Sequence, residues 1–132
     1  MTIQMSVALR DARLDQLETT VGTSATLTIF GGAVPANCAA ADSATVLATI
    51  SCGSDWMAAS SSGSKAKNGT WSVAASGTGT ATHFRLKSSG GTVHMQGTCG
   101  TSSADMILDN TSISSGQTVT VTAFTLNENA HA

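Results

Sequence analysis

The chain has 132 residues, a length that fits one domain able to build its own core. Only 11% of the residues are charged, against roughly 25% in an average soluble domain, and the formal net charge is −2. Six cations that form no stripe argue against a nucleic-acid partner, because phosphate-backbone binding needs several Lys or Arg acting together.

Polarity comes from hydroxyls instead, with 18 Ser and 20 Thr. A surface of that kind is wet but weakly charged and repels neighbouring copies poorly. The three cysteines, Cys38, Cys52 and Cys99, are too few for a disulfide framework. Arg10, Asp11, Arg13 and Asp15 fall where the apolar core of an export signal would lie. No run approaches the ~18 apolar residues of a membrane span. The expectation is a chain made in a reducing cytoplasm, with no membrane partner.

Residues 6–22 read as a helix. Ser6 is placed to cap its start and Gly22 to end it, with Val7, Leu14, Leu17 and Val21 at helical spacing. Five of the fourteen charged residues lie here, so the segment differs in kind from the rest of the chain. The chain divides accordingly into an N-terminal arm and amphipathic helix, 1–22, and a β domain, 23–132. The helix either packs on its own domain or docks elsewhere.

From Thr23 onward short Val/Ile/Thr/Phe runs are punctuated by Gly, Ser and Asn. They predict strands at 25–31, 45–51, 70–75, 80–87, 92–98, 105–109 and 117–126. The fold class is mostly β: a β-sandwich or jelly roll of about seven to eight antiparallel strands with one N-terminal α-helix.

Residues 80–98 form a predicted hairpin about Ser88-Ser89-Gly90-Gly91. Phe84 and Leu86 then share a face with Val93 and Met95, while His83 and Arg85 share the other with His94 and Gln96. The last strand changes phase near Ala123, where Val119 and Val121 give way to Phe124 and Leu126. A bulge is the simplest cause, and burial on both faces the alternative. Residues 32–44 and 52–69 read as long loops, the second interrupted by a helical turn near Trp56. Residues 127–132 read as a tail.

No reactive constellation emerges. There is no Gly-x-Ser-x-Gly elbow, and the histidines His83, His94 and His131 are read as strand-face or tail residues. A structural zinc site wants four ligands in close-spaced pairs, and the three cysteines belong to none. Asp105 and Asp109 are too few for a calcium cage. Ser76-Gly77-Thr78-Gly79 opens like a phosphate loop but lacks its third glycine and its helix, and is read as a hairpin turn. The chain is expected to carry no catalytic residue, cofactor or metal. Trp71 reads as core; Trp56 reads as a packing anchor or an interface hot spot. Candidate interface residues are Leu9, Arg10, Arg13, Leu14, Leu17, Trp56, His83, Arg85 and His94.

Several segments carry a resemblance. They are Ala8-Leu9-Arg10-Asp11-Ala12-Arg13-Leu14, Ala36-Asn37-Cys38-Ala39-Ala40-Ala41-Asp42, Ser54-Asp55-Trp56, Gly69-Thr70-Trp71, His83-Phe84-Arg85, His94-Met95-Gln96-Gly97, Asp105-Met106-Ile107-Leu108-Asp109-Asn110-Thr111 and Gly116-Gln117-Thr118-Val119-Thr120-Val121. In these the sequence resembles small virion structural proteins of tailed bacteriophages and prophages, over nearly the whole chain. The resemblance implies a particle component and carries over no functional residue. Within that class the expectation is a capsid decoration (cement) protein, located in the virion. Its partners would be the major capsid protein and copies of itself as a homo-oligomer. The alternative is a tail or fibre protein that binds a host receptor or glycan.

Overall fold

The computed structural model describes residues 3–128. The helix α1 (Val7–Val21) begins where the Ser6 side chain accepts a hydrogen bond from the Leu9 amide at 3.2 Å. It ends where Gly22, at φ 95°, donates its amide to the Glu18 carbonyl at 2.8 Å. Both predicted caps hold.

Ten strands come after the helix: β1 (Thr26–Gly31), β2 (Thr45–Ser51), β3 (Ser64–Ala66), β4 (Trp71–Ala74), β5 (Gly79–Thr80), β6 (His83–Lys87), β7 (Val93–Gly100), β8 (Met106–Leu108), β9 (Ser112–Ile113) and β10 (Thr118–Asn127). The protein is mostly β, as its pattern predicts. The main sheet runs β2-β1-β6-β7-β8-β10-β3, with β4 also paired to β10, while β5 and β9 form a separate pair. The sheet curls until its two ends meet, where the amides of Ser76 and Gly77 both donate to the Leu47 carbonyl. All pairs are antiparallel except β7 with β8, which run parallel at Cys99–Met106 and Gly100–Ile107; the expected all-antiparallel sheet has this one exception.

The core fills the inside of the curl. A chain of aromatic contacts runs from Trp56 to Trp71, then to Phe124 and Phe84, with ring centroids 5.4–6.4 Å apart. Leu27, Ile29, Leu47, Met106, Leu108, Val119 and Val121 pack around it. In β10 the phase change is a bulge: partners shift between Val121 and Ala123, which returns Phe124 to the same core as Val119 and Val121.

The predicted hairpin pairs β6 with β7, Leu86 opposite Met95 and Arg85 opposite Gln96. A register shift next to Lys87 sets Val93, not His94, opposite Lys87. Val93 is therefore not on the apolar face expected for it.

Five other expectations are corrected. Ser76–Gly79 is no hairpin turn, since β4 pairs with β10 rather than with the strand after it. Its glycine is needed for close approach: a Cβ on Gly77 would collide with the Val46 carbonyl oxygen. The 80–87 run is broken at Ala81 and Thr82, whose amides turn to Thr111 and Phe30. Around Trp56 there is no helical turn but a bridge between Met57 and Lys67, and the 52–69 loop contains β3. Asn127 belongs to β10, opposite Ser64, while residues 1, 2 and 129–132, with His131, lie outside the described residues.

Candidate functional site

By its sequence the face of β6 that carries His83 and Arg85 reads as polar and outward-facing. It is buried. Phe30 stands opposite His83 and Thr28 opposite Arg85, so these four side chains project away from the core. Yet Phe30, His83 and Arg85 are each 0% exposed. The covering layer is the 33–42 segment. The correction has a physical reason: Arg85 supplies five donors, and the loop arranges itself around them.

Arg85 donates to Asp42 Oδ1 at 2.5 Å and to Gln96 Oε1 at 3.2 Å. It also donates to the carbonyls of Asn37, Cys38 and Ala40 at 2.8–3.2 Å. Gln96 returns its amide to the Pro35 carbonyl at 2.8 Å. Asp42 receives Lys87 as well, at 2.6 Å. The Lys87 hydrogen bond holds the Asp42 carboxyl below its ordinary range, burial opposes this, and Arg85 adds to the lowering.

His83 stacks on Phe30 with ring centroids 5.1 Å apart and planes 8° from parallel. Thr82 Oγ1 is 2.7 Å from the Gly32 carbonyl, which takes its proton, and 2.9 Å from His83 Nδ1. That places the ring proton on Nδ1 and leaves Nε2 a buried lone pair with no hydrogen-bond partner. Burial first, and the Arg85 charge second, push the His83 pKa below its ordinary value, with Asp42 working against them.

The second polar cluster fastens the helix. Lys65, on β3 and 2% exposed, reaches Asp15 Oδ1 and Glu18 Oε1 at 2.9 Å each and the Ala58 carbonyl at 2.8 Å. Burial works against its charge, but the two carboxylates outweigh it and raise its pKa. Asp11 accepts from the Gly63 amide at 2.8 Å, and Arg10 donates to the Glu128 carbonyl at 3.3 Å. A signal for this cluster exists in the sequence, although apolar periodicity passes over it. Asp11, Asp15 and Glu18 recur on one side of the helix and call for a cation.

The nine candidate interface residues therefore separate. Leu14, Trp56, His83 and Arg85 are buried inside the chain and present no surface. Trp56 is a packing anchor, with its indole N–H donating to the Gly22 carbonyl at 3.1 Å. Leu17 and Arg10 are half-buried between helix and sheet. Leu9 is 49% exposed, Arg13 is exposed while paired with Glu128 at 3.0 Å, and His94 is exposed beside the β6–β7 register shift.

No group of three or more His, Cys, Asp or Glu among the described residues is placed to hold a metal ion. Burial pushes the Cys52 thiol up to about 11; burial and the Asp105 charge push Cys99 up to about 12, so neither is a ready nucleophile. A hollow of about 480 Å³ lies where Gly31 and Thr45 face Thr78 and Thr80, and no charged side chain lines it. All six cations and all eight carboxylates take part in hydrogen bonds or ion pairs within the chain. No family model, curated protein or solved structure matches the chain.

Proposed function

We propose that this chain is a structural component of a tailed-bacteriophage particle, a capsid decoration protein that binds and stabilises the head shell beside copies of itself. The observation that carries this reading is that every charged side chain is engaged by a partner within the chain, which leaves a surface of hydroxyls, a few paired charges and a few apolar groups. Among the described residues of the arm and helix, Ile3, Val7 and Leu9 are the exposed large apolar ones, at 80%, 47% and 49% exposure. They supply contact area without a reactive group. The sequence resemblance to virion structural proteins points to the particle, and contacts repeated over many copies add up without any single tight site.

The test is to mix the purified chain with heads that lack it and to measure co-sedimentation and the temperature at which DNA is released. Binding with a raised release temperature is expected, and Leu9→Asp should weaken it. Removing residues 1–22 is a poor probe, because it would strip Lys65 of both its carboxylates. No binding to heads, together with binding to a glycan array or to tails, would replace this reading with a tail or fibre role.

A further inference from the structure

The main sheet has a gap. The outer edge of β7 meets β8 only at Cys99 and Gly100, so from Val93 to Gly97 that edge has no ladder among the described residues. On the facing strand, β8 stops opposite Phe124, and Thr125 to Asn127 are laddered only to β3.

Backbone direction makes the gap a slot. The Cys99 amide points to Thr82, toward β6, so by alternation Gln96 turns its N–H and C=O away from β6. The Phe124 carbonyl accepts from Lys67 and the Glu128 amide donates to Gly63, so Thr125 and Asn127 turn theirs toward β7. Between these edges lies a cleft of about 360 Å³ with Met95 and Leu126 as walls and Phe84 and Phe124 as floor. Asp105, bonded to the Thr98 amide at 2.9 Å, closes one end; Leu17 and Val21 of α1 lie against Met95 at the other.

We infer that this slot receives the N-terminal arm of a second copy of the chain as an added β-strand. The arm reads Met1-Thr2-Ile3-Gln4-Met5, apolar and polar in strict alternation, which is the pattern of a strand with one buried face. Its own Ile3 is 80% exposed, so the arm does not occupy its own slot. The open stretch from Met95 to Gly97 takes about three residues, roughly 10 Å at ~3.4 Å each, which centres on Ile3. Ile3 then drops onto Phe84 and Phe124, while the arm's backbone pairs with Gln96 on one side and Thr125 on the other. The inference deepens the self-association in the proposed function and rests on that part of it alone.

The test uses the full chain. Sedimentation equilibrium gives the self-association constant of the parent and of Ile3→Asp, whose fold is checked by circular dichroism. A second variant combines Ile3→Cys with Leu126→Cys, whose side chain lines the cleft on the face that Ile3 would enter, and is oxidised, with each single cysteine as a control. Expected are at least a tenfold loss of association in Ile3→Asp and a disulfide between two chains in the double variant. A disulfide within one chain would overturn the second-copy assignment. Association that Ile3→Asp leaves unchanged would overturn the slot while leaving self-association standing. A monomer at every concentration would overturn both, whereas failure to bind heads alone would touch only the proposed function.

Discussion

Lys65 on β3 and Asp15 on α1 meet at 2.9 Å across 50 positions of sequence, and Glu18 takes a second proton of the same ammonium. The ammonium is 2% exposed, whereas the two carboxylates are 52% and 23% exposed. The pair is therefore a peg from the sheet into the wet side of a helix. The helix belongs to the fold that it precedes.

Lys65→Met keeps the stem and removes the charge. The carboxylates left behind regain water, so the loss should fall below that of a fully buried pair, at about 1–3 kcal/mol. Urea unfolding measures it, and amide exchange should rise first in α1. The raised Lys65 pKa sets a pH window too. Its contribution is complete below the ordinary lysine value near 10.5 and is lost as pH rises through the higher folded value. Lys65→Met should flatten the alkaline limb of the stability curve.

Arg85→Met should be the costliest polar substitution, about 3–5 kcal/mol, because it strands Asp42 and three loop carbonyls. Arg85→Lys should recover only part of this, since an ammonium has three donors and no planar fork. Hydrogen exchange in residues 33–42 would report detachment of the covering layer. Unchanged protection there would contradict the role given to Arg85.

Acid should weaken the fold through His83 before it reaches the carboxylates. The folded pKa lies below the ordinary value near 6.5, so just below pH 6.5 the unfolded chain takes up a proton that the folded chain refuses. Stability then falls as pH falls, until the folded value is reached. His83→Phe keeps the stack on Phe30 and removes the titration. Its melting temperature should vary less than the parent's between pH 7 and pH 5. A parallel decline in both would assign the effect elsewhere.

Two glycine substitutions should part company. Gly77→Ala forces a methyl into a backbone oxygen of β2 and should cost about 1–3 kcal/mol. Gly90→Ala meets nothing within 4 Å and should be neutral or stabilising by up to about 1 kcal/mol. Paired chemical denaturation curves decide it.

Much of the architecture was readable because it is local. The Ser6 and Gly22 caps, the alternation of Phe84 and Leu86 with Met95, and the phase change before Phe124 all declare themselves within a few residues. What stayed hidden depends on distant partners. His83 and Arg85 look like an outward-facing row until the 33–42 segment, more than forty positions earlier, is folded over them. β3 hides in a Ser/Gly-rich stretch because its central residue is a lysine, and only the acidic side of α1 makes a buried lysine tolerable. Gly77 looks like a turn residue because nothing nearby in sequence reveals the strand it presses against.

Strand β10 is shared by three neighbours: Thr118–Val121 with β4, Val121–Phe124 with β8, and Thr125–Asn127 with β3. During synthesis these three wait, with bare edges, for the segment that joins them. A ribosome paused before residue 118 would hold a chain whose first strands can pair but whose remaining edges stay open to other molecules. Assembly of the fold is thus timed by its latest-made element, and with so many distant pairings it should run in milliseconds to seconds rather than microseconds.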